Sequence, residues 1–120
     1  MANEATLVVS LAFGKGNIST RTIASGSVAR DVAGSRAIYN VQTVGTSAEA
    51  VLLGDVGTPG LAIVHNLDAT NFAEVLDSVA GAACVKLKAG DWALFRFTTA
   101  TPAFKADTAP VDLEYWLLPN

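Results

Sequence analysis

Cysteine and histidine are almost absent from this 120-residue chain, which contains one of each, Cys84 and His65. A single cysteine cannot form an internal disulfide, so the chain is not a disulfide-stapled scaffold. A structural zinc site needs several cysteine or histidine ligands, so none is expected. The first residues lack the basic and then apolar pattern of a secretory signal, and no apolar run approaches the ~20 residues that cross a bilayer. We therefore expect a soluble protein with no metal, no other cofactor and no membrane partner.

Charge of either sign is also scarce, since 16% of the residues are charged and the formal net charge is −3. The chain has no basic stripe, which argues against a nucleic-acid partner. Residues 1–45 have a net charge of +2 and residues 46–120 a net charge of −5. If the two segments expose their charges on different faces, neighbouring copies attract one another head to tail. An ordinary surface with no such role divides its charge in the same way.

The apolar residues are organised as many short runs. They make up 51% of the 120 residues, which suits one compact domain spanning 1–120, with residues 1–5 as an extended N-terminal arm. Turn-forming residues separate eight runs, at 5–13, 18–24, 36–44, 49–53, 61–66, 83–87, 92–97 and 111–118. This pattern predicts an all-β fold, a single β-sandwich or jelly-roll-like barrel of about 8–9 short antiparallel strands.

Residues 71–80 fit two interpretations. Asn71 would cap a short helix that ends at Gly81, because the apolar residues between them repeat at helical spacing. The segment that starts at Phe72 also alternates, and a lone short helix among strands is marginal. We favour a strand from about Phe72 to Asp77.

Glycine and proline mark further turns. Pro59 and Gly60 suit the second and third places of a type II turn. Gly90, between Lys88 and Asp91, is expected to reverse the chain before the run at 92–97. These positions predict scaffold geometry, without a catalytic role.

Four oxygen-bearing side chains fall within six residues, at Asn66, Asp68, Thr70 and Asn71. Such a cluster favours Ca²⁺, but the segment has fewer acids than an EF-hand loop. Asn and Asp also bond to their own backbone in tight turns. We therefore interpret Asp68 and Asn71 as the residues that close a turn between two strands.

The residues that would carry catalysis are missing. A Ser-His-Asp hydrolase needs a base against its nucleophile, and the chain has one histidine and no G-x-S-x-G elbow. We expect His65 to lie in a strand, partly buried and hydrogen-bonded. Cys84 follows two alanines, and we expect it to be a small buried hydrophobe. The sequence therefore predicts that the protein is not an enzyme.

Five short motifs between residues 54 and 118 resemble small virion structural proteins of tailed bacteriophages. Those proteins combine a threonine-proline-glycine turn, an N-x-D-A-T-N-aromatic hairpin, a K-L-K-x-G-[DE] turn and an L-E-Y strand. The matching segments are 54–60 (GDVGTPG), 66–72 (NLDATNF), 86–96 (KLKAGDWALFR), 105–107 (KAD) and 113–115 (LEY). The resemblance covers just over half of the chain, and the sequence departs from it at 76–83.

The resemblance implies a location in the virion and copies arranged as a symmetric homo-oligomer, for example a trimer. A capsid decoration or cement protein bound to the major capsid protein is favoured slightly, because a chain of this size suits a small repeating cap. A tail or baseplate component is the alternative, and so is a carbohydrate- or receptor-binding module with Trp92 or Trp116 exposed beside the loop at 66–71.

Both ends of the chain carry candidate interaction residues. Leu7 and Val9 lie in the N-terminal region, and Trp116 and Leu118 in the last predicted strand. These apolar side chains would pack against a neighbouring protein. The alternative for Trp116 and Leu118 is that they complete the core.

Overall fold

The computed structural model describes residues 4–32, 34 and 36–120, with the backbone alone at Ile18. This part of the chain contains no helix, and therefore none long and apolar enough to cross a membrane. It forms ten strands: β1 (Ala5–Lys15), β2 (Ile18–Arg30), β3 (Ile38–Val44), β4 (Glu49–Ala50), β5 (Pro59–Asn66), β6 (Ala73–Leu76), β7 (Ala83–Leu87), β8 (Trp92–Arg96), β9 (Ala103–Ala106) and β10 (Val111–Pro119). The predicted all-β class is confirmed.

Contacts between residues divide the chain into two compact units, 1–33 and 34–120. The single domain over 1–120 stays a prediction. Most of the predicted arm at 1–5 lies outside the described residues, and Ala5 already begins β1.

The first unit is a long antiparallel hairpin of β1 and β2. The chain reverses at Gly16 and Asn17, where Gly16 has a φ of 54° that an L side chain rarely adopts. A bulge places Ser25 and Gly26 opposite Val9, and the Val9 amide donates to Ser25 Oγ at 3.0 Å. β2 therefore continues through this pair instead of ending before it.

The second unit consists of two four-stranded antiparallel sheets. Sheet one has the strand order β3-β10-β5-β8, and sheet two has the order β4-β9-β6-β7. Alternate residues point into the core, as in β10, where Val111, Leu113, Tyr115 and Leu117 are buried. Phe104 of sheet two packs edge-on against Tyr115, with ring centroids 5.6 Å apart. The arrangement is consistent with the predicted β-sandwich.

Residues 73–76 form a strand, which confirms the favoured interpretation of 71–80. β6 pairs with β9 on one side and β7 on the other, and Ala73, Val75 and Leu76 are buried. A strand with two partners buries these residues better than a ten-residue helix standing alone.

The predicted type II turn at Pro59 and Gly60 is wrong, because both residues begin β5 and are buried. The chain reverses earlier, where the Val56 amide donates to the Leu53 carbonyl at 3.1 Å and Gly57 has a φ of 77°. Gly60 serves a close approach instead. A Cβ at this position would lie 2.5 Å from the Cα of Asn120.

Candidate functional site: the outer face of sheet one

Large side chains cover the outer face of sheet one in two rows that cross all four strands. Direct pairing across the strands defines both rows. We call their eight members the aromatic face. The first row is Tyr39, Trp116, Ile63 and Leu94, and the second is Val41, Glu114, His65 and Trp92.

Strand alternation explains why these residues share one face. In β10, Leu113, Tyr115 and Leu117 are buried, so Glu114 and Trp116 between them point outward. The same parity on β5 buries Val64 and turns its neighbours outward. The aromatic face is therefore the side of the sheet opposite the core.

The aromatic rings of this face are exposed. Trp92 is 61% exposed and Trp116 is 49% exposed. Trp92 stacks on His65, with ring centroids 3.7 Å apart and ring planes 7° apart. Tyr39 and Trp116 contact each other at 5.7 Å between centroids. Tryptophan and tyrosine exposed together on a sheet are typical of a surface that binds a partner.

Glu114 lies near the centre of the face and is held by two neighbours. The Tyr39 hydroxyl donates to its Oε2, and His65 Nδ1 lies 3.1 Å from its Oε1. The hydrogen bond from Tyr39 and then that from His65 hold the pKa of Glu114 below its ordinary value. The same contact with Glu114 raises the pKa of Tyr39. These two hydrogen bonds hold the Tyr39 ring, the His65 ring and the Glu114 carboxylate in a fixed arrangement on the face.

The face has a shallow relief. A depression of about 250 Å³ is lined mainly by Tyr39, Ile63, Trp92, Glu114 and Trp116. In the part of the chain that the structure describes, no three His, Cys, Asp or Glu side chains come together as a metal site. The geometry suits contact with an extended surface better than the enclosure of a small substrate.

The hairpin has an apolar face of its own. Alternation on β1 and direct pairing with β2 place six apolar side chains on one side, which we call the hairpin face: Leu7, Val9, Leu11, Phe13, Ile23 and Val28. The opposite side carries small and polar residues such as Thr6, Ser10 and Ala12. Leu11 is 69% exposed and its cross-strand partner Ile23 is 79% exposed.

Three of the four predicted interaction residues fall on these two surfaces. Trp116 belongs to the aromatic face, and Leu118, near the end of the same strand, is half-buried. The core position in this stretch belongs to Leu117, so Trp116 does not complete the core. Leu7 and Val9 belong to the hairpin face. Sequence reasoning missed the rest of that face, although the alternation from Leu7 to Phe13 would have revealed it.

The oxygen-rich loop is built from turns. Asp68 Oδ2 accepts hydrogen bonds from the amides of Thr70 and Asn71, and Asn66 Oδ1 accepts one from the Asp68 amide at 2.8 Å. The bonds from Asn71 and then Thr70 lower the pKa of Asp68. Gly90 has a φ of 81° in the neighbouring turn, where the Asp91 amide donates to the Lys88 carbonyl at 2.9 Å. The Asp68 carboxylate thus bonds to backbone amides and closes a turn, which is the interpretation that the sequence favoured over a Ca²⁺ site.

The two residues considered for catalysis, His65 and Cys84, lie in different sheets. His65 is in β5, partly buried and bonded to Glu114, as expected. Cys84 is exposed in β7, where its thiol donates to the Val75 carbonyl at 3.3 Å, so the prediction of a buried thiol is wrong. β7 is an edge strand of sheet two, and its register with β6 passes over Cys84, since Val75 pairs with Val85 and Leu76 with Ala83.

The arrangement provides two separate apolar surfaces, the aromatic face and the hairpin face, whose chemistry suits contact with macromolecules. Comparison of the chain with protein-family models, with curated proteins and with solved structures yields no match.

Proposed function

We propose that this chain is a structural protein of a tailed-bacteriophage virion that acts through protein contacts and is not an enzyme. The observation that carries the proposal is the aromatic face, a sheet surface on which Trp92 and Trp116 are each about half exposed or more. The motifs between residues 54 and 118 supply the virion context. Of the structural roles, we favour capsid decoration, in which the protein binds the assembled head and stabilises it.

The composition of the face supports a protein partner. Protein interfaces are enriched in Trp and Tyr and depleted in charge at their centre. On the aromatic face the one carboxylate, Glu114, is already bonded to Tyr39 and His65, so little new desolvation is needed to cover it. A specific contact buries about 800 Å² on each partner.

A decoration role gains strength from repetition. Many copies that bind a repeating shell, and also bind one another, gain an effective affinity that a single contact lacks. Self-association and binding to the shell are therefore expected to depend on each other.

The test is cosedimentation of the purified chain with assembled heads and, separately, with isolated tails of the phage that encodes it. We expect saturable binding to heads. Trp116→Ser should weaken it by about 30-fold, the effect of losing one interface anchor. Val79→Ser is the matched control, because Val79 is 52% exposed but lies in the loop between β6 and β7.

Binding to tails alone would favour the tail or baseplate alternative. Absence of binding to either particle would refute the virion role. Equal loss of binding in Trp116→Ser and Val79→Ser would show that the aromatic face is not the surface that contacts the particle.

A carbohydrate- or receptor-binding module is the second candidate, because of the position of Trp92. Its ring is 61% exposed, stacks on His65 and stands beside the start of the loop at 66–71, since the Asn66 amide bonds to the Asp91 carbonyl at 2.9 Å. An exposed indole beside a polar loop is a platform for a sugar ring. Quenching or enhancement of Trp fluorescence by a panel of oligosaccharides, abolished by Trp92→Ala, would favour this candidate over the first.

A further inference from the structure

A hairpin of two strands buries too little apolar surface to be stable by itself in water. The two strands of this hairpin are 11 and 13 residues long and, within the described part of the chain, pair only with each other. Its apolar face leaves Leu11 and Ile23 largely exposed. A two-stranded ribbon is marginal in water unless one face packs on something else. The hairpin face therefore needs a cover.

The charge of the hairpin identifies the kind of cover. Residues 5–30 contain Lys15, Arg21 and Arg30 and no acidic residue, and with the flanking Glu4 and Asp31 the unit 1–33 has a formal net charge of +1. Arg21 pairs directly with Phe13, and Arg30 with Ala5, so both arginines project on the side of the hairpin face. The cover should be apolar at its centre and negatively charged around it.

The second unit has these properties. Residues 34–120 contain five basic and nine acidic residues, a formal net charge of −4. Its aromatic face offers exposed Trp92 and Trp116 with Glu114 among them, and Asp112 lies exposed two residues earlier on the same strand. One base, Arg96, is exposed at an outward position of β8, so the outer side of sheet one carries two acids and one base and keeps a negative balance that matches the hairpin face.

We propose that the hairpin face of one copy packs on the aromatic face of a second copy. The inference rests on the proposed function, because it names the partner of the aromatic face. Packing of two hairpins on each other would bring their arginines together and would leave the aromatic face bare. The contact joins two different surfaces, so it connects copies head to tail and closes into a ring when the rotation permits.

The first experiment is sedimentation velocity of the purified 120-residue chain, without particles, from about 1 µM to about 200 µM. We expect a concentration-dependent oligomer. The paired change Leu11→Thr with Ile23→Thr should raise the dissociation constant by about 30-fold or more. Threonine is β-branched and favours strands, so the ribbon itself is retained.

Each surface has a matched control. Val8→Thr alters an apolar residue that is 68% exposed but lies on the opposite side of β1, and it should leave association unchanged. On the aromatic face, Trp116→Ser should raise the dissociation constant by a similar factor, about 30-fold or more. Ile63→Thr is the second variant if Trp116→Ser does not fold, and circular dichroism checks the fold of each.

The decisive experiment mixes two defective variants. A hairpin variant keeps a sound aromatic face, and an aromatic-face variant keeps a sound hairpin. Each alone should be monomeric, and an equimolar mixture should form dimers and nothing larger. Rescue of this kind requires that the two surfaces bind each other.

Three results would overturn the inference. A wild-type chain that stays monomeric throughout would show that another molecule, or the same chain, covers the hairpin face. Association that survives Trp116→Ser and Ile63→Thr but not the hairpin change would show hairpin-to-hairpin packing. A mixture that stays monomeric would exclude the head-to-tail contact. A monomer that still binds heads would leave the proposed function standing, whereas an oligomer that binds no particle would refute that function alone.

Discussion

Asn66 is buried, and both polar atoms of its side chain are hydrogen-bonded. Its Nδ2 donates to the carbonyls of Asn71 and Leu87, both at 3.0 Å, and its Oδ1 accepts from the Asp68 amide. One side chain thus ties the loop at 66–71 to the end of β7. Buried polar groups that lose such partners destabilise the folded state.

We expect Asn66→Ala to lower the free energy of unfolding by about 2–4 kcal/mol, because it leaves the buried Leu87 carbonyl, the part-buried Asn71 carbonyl and the Asp68 amide without their partner. Urea denaturation followed by circular dichroism measures this change. Thr70→Ala is the control, since the Thr70 side chain is exposed and its amide contact to Asp68 is retained. A loss below about 0.5 kcal/mol in Asn66→Ala would show that water replaces the lost bonds.

Glu114 makes stability depend on pH. Because its folded-state pKa is lowered, first by Tyr39 and then by His65, the unfolded chain binds more protons in acid. Its contribution is present above the ordinary value of 4.5 and is lost as the pH falls through the lower folded-state pKa. We expect Tyr39→Phe to reduce the fall in melting temperature between about pH 6 and about pH 3.5, since it removes the first of these bonds.

Asp68→Asn provides a comparison for that measurement. The pKa of Asp68 is also lowered, by the amides of Asn71 and Thr70, at a site in the loop away from Glu114. The two changes should therefore flatten the pH profile independently and add in the double variant. An unchanged profile in Tyr39→Phe would mean that its bond to Glu114 does not persist in solution.

At the scale of the strand, the start of β5 and the end of β10 lie unusually close. A Cβ at Gly60 would meet three backbone atoms of Pro119 and Asn120 within 2.8 Å, and backbone cannot rotate away. We expect Gly60→Ala to destabilise the protein by about 1–3 kcal/mol in thermal or urea denaturation.

Gly45→Ala is the matched control, because a Cβ there would meet only Glu49 Oε2, at 3.5 Å. We expect it to change stability by less than about 0.5 kcal/mol, or to increase it slightly through the unfolded state. Equal effects at both positions would indicate that the end of β10 moves away from Gly60.

The strands that the sequence predicts well are those whose two faces meet different surroundings. The alternation from Val111 to Tyr115 predicts β10, with acids outward and apolar residues inward. The pattern breaks down at Trp116, because an apolar residue at an outward position cannot be distinguished in the sequence from a buried one. The aromatic face is therefore a property of the fold that the sequence alone does not reveal.

Other elements escaped prediction for local reasons. β9 is only four residues long, directly follows Pro102 and has two alanines, so it lacks the β-branched residues that mark a strand. β2 extends to Arg30, beyond the predicted end at 24, because Ser25 and Gly26 form a bulge instead of a turn. Gly60 was assigned to a turn because glycine serves both turns and close packing.

At the scale of the whole molecule, the core cluster of the described residues is built from the second unit. Every residue of the core cluster lies between Ile38 and Leu117. We expect a fragment of residues 34–120 to fold cooperatively, with near-ultraviolet circular dichroism from its two tryptophans, while a peptide of residues 4–32 has little structure in dilute solution. An unfolded fragment would show that the first unit is required for the core.

The position of β10 in sheet one governs when the protein becomes able to associate. β10 lies between β3 and β5, so sheet one cannot close until residues 111–119 have left the ribosome. Its partner β3 is synthesised about 70 residues earlier, and pairing over that separation is slow compared with hairpin formation. The hairpin is complete long before, when no finished aromatic face exists on its own nascent chain. A nascent chain therefore offers its hairpin face before its aromatic face, so under the proposed contact it can bind a finished copy before another copy can bind it.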